Sequence, residues 1–226
     1  MNLGLIGGVS PYAYSNIYLN ICREYRKRHE HYPTVVSYSI NVSEQEEISF
    51  ITNDVKDKAE GALFDKIKAA CDTLVKSNAE AVGICCNSLS GLFLKACNDY
   101  NLKEVFSPLT LLNQKIGECS NSQMLILGTG YTMEHREEKH IVQLSEKERA
   151  ELEVWLQKRI SGENTKEDVL NGIISNYYDL VDYIVLACTD IDNYIIDVLY
   201  QDKIIDSSKL FVDKCVRVMD SSCVEY

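Results

Sequence analysis

Residues 81–91 read AVGICCNSLSG, an apolar run that stops at two cysteines, an asparagine and a serine. The apolar part predicts a buried strand, and Asn87 with Ser88 is typical of the start of a helix, where such side chains act as caps. Cys86 is therefore predicted to lie where a strand passes into a helix. The field of a helix N-terminus favours the thiolate form of a cysteine, which makes Cys86 a candidate base.

A second copy of this pattern lies in the other half of the chain, where residues 182–190 read DYIVLACTD. Again an apolar strand ends in a cysteine, Cys188, followed by a residue that can cap a helix. The two halves also open alike, with LGLIGG at residues 3–8 and MLILGT at residues 124–129. This loose internal repeat predicts two similar lobes that present two thiols to one cleft.

The segments between the strands have the periodicity of helices. Residues 54–76 carry apolar side chains at helical spacing, namely Leu63, Ile67, Ala70 and Leu74. Ser10 is a predicted N-cap with Pro11 at the first helical position, and one face of the helix that follows carries Tyr14, Ile17, Tyr18, Ile21 and Tyr25. A charged helix is predicted to begin at Ser145. The alternation of strand and helix predicts an α/β fold in which each lobe is a parallel sheet flanked by helices. Such sheets bind ligands at the carboxyl ends of their strands, where the sequence places both the glycine turn at residues 7–8 and Cys86.

The composition bears on the class of partner. With 226 residues and 46% hydrophobic composition, the chain can bury a sizeable core. A formal net charge of −11 argues against nucleic acid, which requires a concentrated basic surface. No apolar run approaches the roughly 18 residues of a membrane helix. Met1 leads into a strand instead of a signal sequence, so we expect a cytoplasmic protein without membrane contact.

The nine cysteines are not patterned as a metal site. No CxxC occurs, and Cys85 and Cys86 alternate faces on a strand, so Cys85 is predicted to pack in the core. His135 and His140 are five positions apart, which favours a solvated loop over a metal site. We expect no metal. The remaining cysteines are interpreted as structural or surface residues: Cys22, Cys71, Cys97, Cys119, Cys215 and Cys223.

Several segments, in their order along the chain, resemble the motifs of the aspartate/glutamate racemase family. They are GGVSP at residues 7–11, Cys86-Asn87-Ser88 in place of Cys-Asn-Thr, LGT at residues 127–129 with Thr132, LACTD at residues 186–190 in place of Leu-Gly-Cys-Thr-Glu, and IDSS at residues 205–208. Each is weak alone, but together they span nearly the whole chain. The resemblance implies an amino-acid racemase that works without a cofactor.

The resemblance also implies roles for individual residues. Cys86 and Cys188 would be the two catalytic bases, one starting as thiolate and the other as thiol. The α-carboxylate and ammonium of the substrate would be held by polar side chains and a glycine turn. These substrate-binding residues are Gly8, Ser10, Asn87, Ser88, Thr129, Thr132 and Thr189.

The sequence also predicts how the molecule is organised. Pro108 interrupts the chain where a new series of strands and helices begins, which divides it into a first lobe at residues 1–106 and a second at residues 107–206. The resemblance implies that the lobes are related by a pseudo-twofold axis, with the active site in the cleft between them. The C-terminal helix at residues 207–226 would return to the first lobe. The expected partners are a small amino-acid substrate and a second copy of the chain in a homodimer.

The chain departs from the family pattern at three places. Ser90 stands where the family has a histidine, and Val9 stands where it has methionine. Residues 41–54, the usual source of an arginine for the side-chain carboxylate, contain no Arg or Lys. The other basic candidates are Lys158, Arg159 and Lys166. The resemblance implies acidic amino acids as substrates. The missing clamp predicts weaker turnover of aspartate than in a relative with the full clamp, and a neutral or differently charged substrate is the alternative.

Alternative functions use the same fold. The chain could be a related isomerase, of the hydantoin or maleate type, or a ligand-binding or regulatory relative that has lost turnover. Decarboxylation of malonates by a single cysteine is disfavoured because both thiols are present. The loss of the histidine at Ser90 favours the non-catalytic alternative, whereas retention of Cys86 and Cys188 favours an enzyme.

Overall fold

The computed structural model describes residues 1–43, 45–46, 57–134, 140–163, 165, 167–191 and 196–221. The strands of one sheet are β1 (Leu3–Gly7), β2 (Val35–Ser39), β3 (Ala81–Ile84) and β4 (Glu104–Phe106). Those of the other are β5 (Met124–Leu127), β6 (Ile141–Val142), β7 (Tyr183–Leu186) and β8 (Ile204–Asp206).

Helices connect these strands. They are α1 (Pro11–Arg26), α2 (Asp57–Lys76), α3 (Ser90–Cys97), α4 (Pro108–Glu118), α5 (Gly130–Glu134), α6 (Glu146–Ile160), α7 (Glu167–Tyr177) and α8 (Ser207–Asp220). Short 3-10 helices occur at Tyr178–Leu180 and Val198–Lys203. Among the described helices, none is both long enough and apolar enough to cross a membrane.

The two sheets have the same topology. Their strand orders are β2-β1-β3-β4 and β6-β5-β7-β8, and every pair is parallel. The predicted α/β fold with two similar parallel sheets is therefore confirmed. The division of the chain into units at residues 106 and 107 stays a prediction.

Both faces of the first sheet are covered. On one face, the predicted apolar stripe of α2 is fully buried. Burial of one such aliphatic side chain stabilises a fold by about 1.5–3 kcal/mol. On the other face, α1 and α8 pack against β1 and β3, with Ile17, Ile21 and Phe211 in one cluster with Leu3 and Leu5.

Helix α8 starts at the end of the second sheet and packs on the first. It follows β8 directly, and the Asp206 carboxylate caps it by accepting from the amides of Ser208 (2.8 Å) and Lys209 (3.2 Å). Its Phe211 side chain lies so close to Gly83 that a Cβ there would be 2.7 Å from the ring. The described part of the C-terminal segment therefore contacts the first sheet.

Two local expectations need correction. The face of α1 was predicted to include Tyr18, but Tyr18 is 38% exposed. The buried positions are Ala13, Ile17, Ile21 and Tyr25. Tyr18 follows Ile17 and is therefore rotated by about 100° from the buried stripe. Strand β6 was not predicted, because two residues carry no periodic signal.

The start of α6 matches the sequence pattern. Ser145 caps the helix, and Glu148 closes a capping box by accepting from the Ser145 main-chain amide at 3.2 Å. The Ser145 hydroxyl also donates to this carboxylate, at 2.5 Å. The hydroxyl of Tyr177 (2.6 Å) and the amide of Asn176 (2.9 Å), both on α7 or its end, also donate to this carboxylate. These hydrogen bonds, that of Ser145 foremost, lower the pKa of Glu148 to about 2.

Glu148→Gln is expected to reduce the acid sensitivity of the fold. Because the folded pKa lies below the ordinary value of 4.5, the carboxylate stabilises the fold above that pH, and its contribution is lost as pH falls through about 2. In urea unfolding between pH about 6 and about 3, wild type should lose stability more steeply than Glu148→Gln. Glu151→Gln, an exposed control on α6, should follow wild type. Equal slopes for wild type and Glu148→Gln would contradict the assigned role.

Candidate active site

The two candidate catalytic cysteines occupy equivalent positions in the two sheets. In the first sheet, Ile6 pairs with Ile84, and the next amide, that of Cys85, donates to the Ile6 carbonyl at 2.9 Å. In the second sheet, Leu127 pairs with Leu186, and the Ala187 amide donates to the Leu127 carbonyl at 2.7 Å. Cys86 and Cys188 each follow one of these amides directly. They therefore lie at the carboxyl ends of matching central strands.

The two neighbouring cysteines of the first sheet face opposite sides. Cys85 packs in the cluster that contains Leu3 and Leu5, which confirms its predicted place in the core. Its burial raises the pKa of its thiol far above the ordinary value. Cys86 contacts a different cluster, together with Leu89. This alternation is what a strand imposes on successive residues.

The helix after Cys86 is not capped as predicted. Helix α3 begins at Ser90, its N-cap residue is Leu89, and no side chain caps it. The expectation that Asn87 and Ser88 cap this helix is therefore wrong. Both side chains instead contact more distant parts of the chain, and these tertiary hydrogen bonds replace the local ones.

A chain of hydroxyl groups crosses from one sheet to the other. The Ser88 hydroxyl shares a hydrogen bond of 3.2 Å with that of Thr129, which shares one of 2.8 Å with that of Thr132. All three residues are buried. Since Ser88 follows β3 and Thr129 follows β5, the structure brings these three predicted substrate-binding residues together.

Asn87 has one polar atom that remains available. Its Nδ2 donates to the Ser207 hydroxyl at 3.0 Å, at the start of α8. Its Oδ1 is buried, and no described residue gives it a hydrogen bond. An unsatisfied buried acceptor costs about 1–3 kcal/mol, so native proteins rarely keep one without a purpose. The Asn87 amide can therefore accept from a ligand.

The first glycine turn is built for close backbone approach. Gly8 has φ +102°, and a Cβ there would lie 2.2 Å from the Ile40 carbonyl oxygen. Only glycine fits this position. The turn leads to Ser10, which caps α1 by accepting from the Ala13 amide at 3.2 Å, as predicted.

Ser10 also reaches the second half of the molecule. Its hydroxyl donates to the Asp190 carboxylate at 2.5 Å, and both residues are buried. Asp190 lies two residues after Cys188 and was not predicted as a site residue. The available signal was its place in the LACTD segment, where the family motif has a glutamate. A buried carboxylate beside a candidate thiol adds negative charge to the site.

Arg159 makes a second contact between the halves. From α6, its Nε donates to the Asp190 main-chain carbonyl at 3.4 Å, and its Nη2 donates to the Tyr12 hydroxyl at 2.8 Å. The guanidinium also lies 4.3 Å from the centre of the Tyr12 ring. Of the basic candidates, Arg159 therefore contacts the turn that follows Cys188. Lys158 is exposed, and Lys166 lies outside the described residues.

The remaining candidates are placed as follows. Ser90 is buried, and its hydroxyl donates to the Cys86 carbonyl at 3.1 Å, which fixes the turn after the cysteine. Thr189 is buried, and its predicted capping role falls partly on residues 192–195, outside the described part. Thr189 lies in a turn that begins at Cys188, whose carbonyl accepts from the Ile191 amide at 3.1 Å.

Cys86 and Cys188 are largely enclosed, with 7% and 6% of their surfaces exposed. Within the described ranges, no three His, Cys, Asp or Glu side chains are grouped to bind a metal ion. Of the histidine segment weighed as a metal site, His135, Glu137 and Glu138 lie outside those ranges.

The chain was compared with known proteins. No family model and no curated protein matches its sequence. Solved structures do match. A proposed Asp/Glu racemase from Yersinia pestis aligns with a TM-score of 0.72 and 16% identity, over 97% of this chain and 99% of that one. An aspartate racemase from Picrophilus torridus gives a TM-score of 0.70 and 17% identity, over 97% and 95%.

The fold is also shared with an enzyme of a different reaction. A maleate isomerase from Pseudomonas putida, solved with maleate, aligns with a TM-score of 0.59 and 13% identity, over 97% of this chain and 92% of that one. At these identities the comparisons show the fold. The reaction has to be argued from the side chains of this chain.

Proposed function

We propose that this protein, which has the fold of aspartate and glutamate racemases, belongs to their family and racemises an amino acid without a cofactor. The observation that carries the proposal is the equivalence of Cys86 and Cys188 at the ends of matching strands. Racemisation requires removal of the α-proton from one face and return of a proton to the other. Two thiols related in this way provide a base and an acid.

In the proposed mechanism, one cysteine is a thiolate and the other a thiol when the substrate binds. The thiolate takes the α-proton, the electron pair of the broken C–H bond is delocalised into the carboxylate, and the opposite thiol then protonates the carbon. The roles of Cys86 and Cys188 are reversed at the end, so the opposite enantiomer is the next substrate. Free cysteine has a pKa of about 8.5, close enough to neutral pH for both steps.

The polar residues around the thiols fit the charged groups of an amino acid. The Asn87 Oδ1, which has no partner among the described residues, would accept from the substrate ammonium. The linked hydroxyls of Ser88, Thr129 and Thr132 would donate to the α-carboxylate, together with Thr189 and main-chain amides near Gly8. Donors already oriented by buried contacts stabilise the charge that develops on that carboxylate.

The proposed substrates are aspartate, glutamate or a related acidic amino acid, and Arg159 is the candidate partner of the second carboxylate. Arg159 contacts the main chain of Asp190, two residues after Cys188, and the hydroxyl of Tyr12. A carboxylate is a stronger acceptor for a guanidinium than a tyrosine hydroxyl and can displace it. The nearby Asp190 carboxylate opposes a second negative charge, which is why we expect modest turnover of aspartate.

A non-catalytic ligand-binding protein is the second candidate, and Ser90 favours it. Its hydroxyl is committed to the Cys86 carbonyl and does not titrate near neutral pH, so this position supplies no proton. Such a protein would bind amino acids without exchanging the α-proton. An isomerase of the maleate type would act on a dicarboxylate that lacks an ammonium and would leave Asn87 Oδ1 without its donor, whereas a hydantoin ring could supply an N–H group to it.

Cys86→Ser and Cys188→Ser are each expected to lower racemisation by a factor of about 10² or more, because each removes one of two required proton-transfer groups. The rate is measured by chiral chromatography with both enantiomers of each amino acid. The control is Cys85→Ala, which changes the neighbouring core cysteine and should keep most activity. Thermal unfolding verifies that each variant is folded. Near-wild-type turnover in either folded serine variant would exclude the two-thiol mechanism.

Arg159→Gln is expected to raise the KM for aspartate or glutamate by a factor of about 10 to 100. The KM for a neutral amino acid should change little, because only the second carboxylate loses its partner. Lys158→Gln changes the adjacent, exposed cation and serves as the matched control. If Arg159→Gln and Lys158→Gln have the same effect on acidic substrates, Arg159 is not the clamp.

A further inference from the structure

Two cysteines outside the cleft form a pair that the proposed reaction does not use. Cys71 lies on α2 and Cys97 is the last residue of α3. Both are buried in the core of the first sheet, where the two helices pack together. Their Sγ atoms are 3.1 Å apart. The chemistry of this pair is independent of the proposed racemisation.

The distance between these sulfurs is close to what a disulfide requires. A disulfide has an S–S length of about 2.05 Å, so the two Sγ atoms have to approach by roughly 1 Å. Cys97 ends its helix, and helix ends open more readily than helix centres, so the second cysteine can make that approach. The same opening admits a molecule as small as hydrogen peroxide.

The two thiols are electrostatically unequal. The hydrogen bond from the Cys97 thiol lowers the pKa of Cys71, and the same bond raises the pKa of Cys97. Burial and the nearby Asp72 carboxylate oppose this effect and the Lys68 ammonium supports it, while the net direction of the Cys71 pKa is downward. Either sulfur can donate across the contact, and the lower pKa favours Cys71 as the nucleophile and Cys97 as the resolving thiol.

We propose that Cys71 and Cys97 form a reversible disulfide when the protein meets a small peroxide. The Cys71 thiolate attacks one peroxide oxygen, the O–O bond breaks, and a sulfenic acid forms on Cys71 as hydroxide leaves and is protonated to water. The Cys97 sulfur then attacks the sulfenic sulfur, the S–O bond breaks, and a second water leaves. The two thiols are oxidised to a disulfide, and the peroxide is reduced to two waters.

This disulfide would enclose the central part of the candidate site. The chain between the two cysteines contains β3, Cys86 and Asn87. Helix α3, only 8 residues long, joins Cys97 at one end to Ser90 at the other. The Ser90 hydroxyl holds the Cys86 carbonyl. Oxidation at Cys97 therefore acts on the helix that positions the turn after Cys86.

The direct test is peptide mapping of the full chain after treatment with hydrogen peroxide and then alkylation of free thiols. Trypsin releases AACDTLVK at residues 69–76 and ACNDYNLK at residues 96–103, each with a single cysteine. We expect these peptides to appear as one cross-linked species that is two hydrogens lighter than their sum and that dithiothreitol separates. Recovery of both as separate peptides, alkylated or oxidised to sulfinic acid, would overturn the proposal.

Matched variants and a second readout complete the test. Cys97→Ser should abolish the cross-linked species, whereas Cys119→Ser, which changes a partly exposed cysteine elsewhere, should not. In the Cys86→Ser, Cys188→Ser background, where the cleft thiols cannot contribute, peroxide should raise the Tm by about 5–10 °C because the cross-link restricts the unfolded chain. An unchanged Tm with no cross-linked species would contradict the proposal and leave the racemase function untouched.

Discussion

The main-chain register of four central strands is the constraint on which the site depends. Strand β1 pairs with β3, and β5 pairs with β7. In each pair, the last hydrogen bond runs from the amide of Cys85 or Ala187 to the carbonyl of Ile6 or Leu127. A slip of one residue would turn Cys86 or Cys188 toward the opposite face of its strand, which now holds Cys85 or Ala187, respectively. The matched registers therefore decide which side chain of each half faces the candidate site.

Polar contacts also join the two halves near the candidate residues. Ser88 bonds with Thr129, Ser10 with Asp190, and Arg159 with Tyr12. Each pair joins residues far apart in sequence, and most of these side chains are buried. Because buried polar groups need partners, these pairs favour the contact between the two halves.

The sequence was sufficient where the signal is local. Strand ends at the cysteines, the Ser10 cap before Pro11 and the helix start at Ser145 all follow from short patterns, and the structure has them. The roles of Asn87 and Ser88 could not be predicted locally, because partners far along the chain, Ser207 and Thr129, compete with the helix amides for these side chains. The contacts of Asp190 and Arg159 could not be predicted from the sequence. They join residues of α6, the start of α1 and the turn after β7, which are far apart along the chain.

The central claim is that two thiols act from opposite faces of one α-carbon, and exchange with heavy water measures this directly. A pool of L-amino acids is incubated with the wild-type protein in heavy water, and the enantiomers are separated early in the reaction. The account predicts that one amino acid, an acidic one, appears as D-enantiomer carrying α-deuterium while its remaining L-form stays protiated. Absence of exchange in every amino acid, or deuterium in the L-form without inversion, would contradict it.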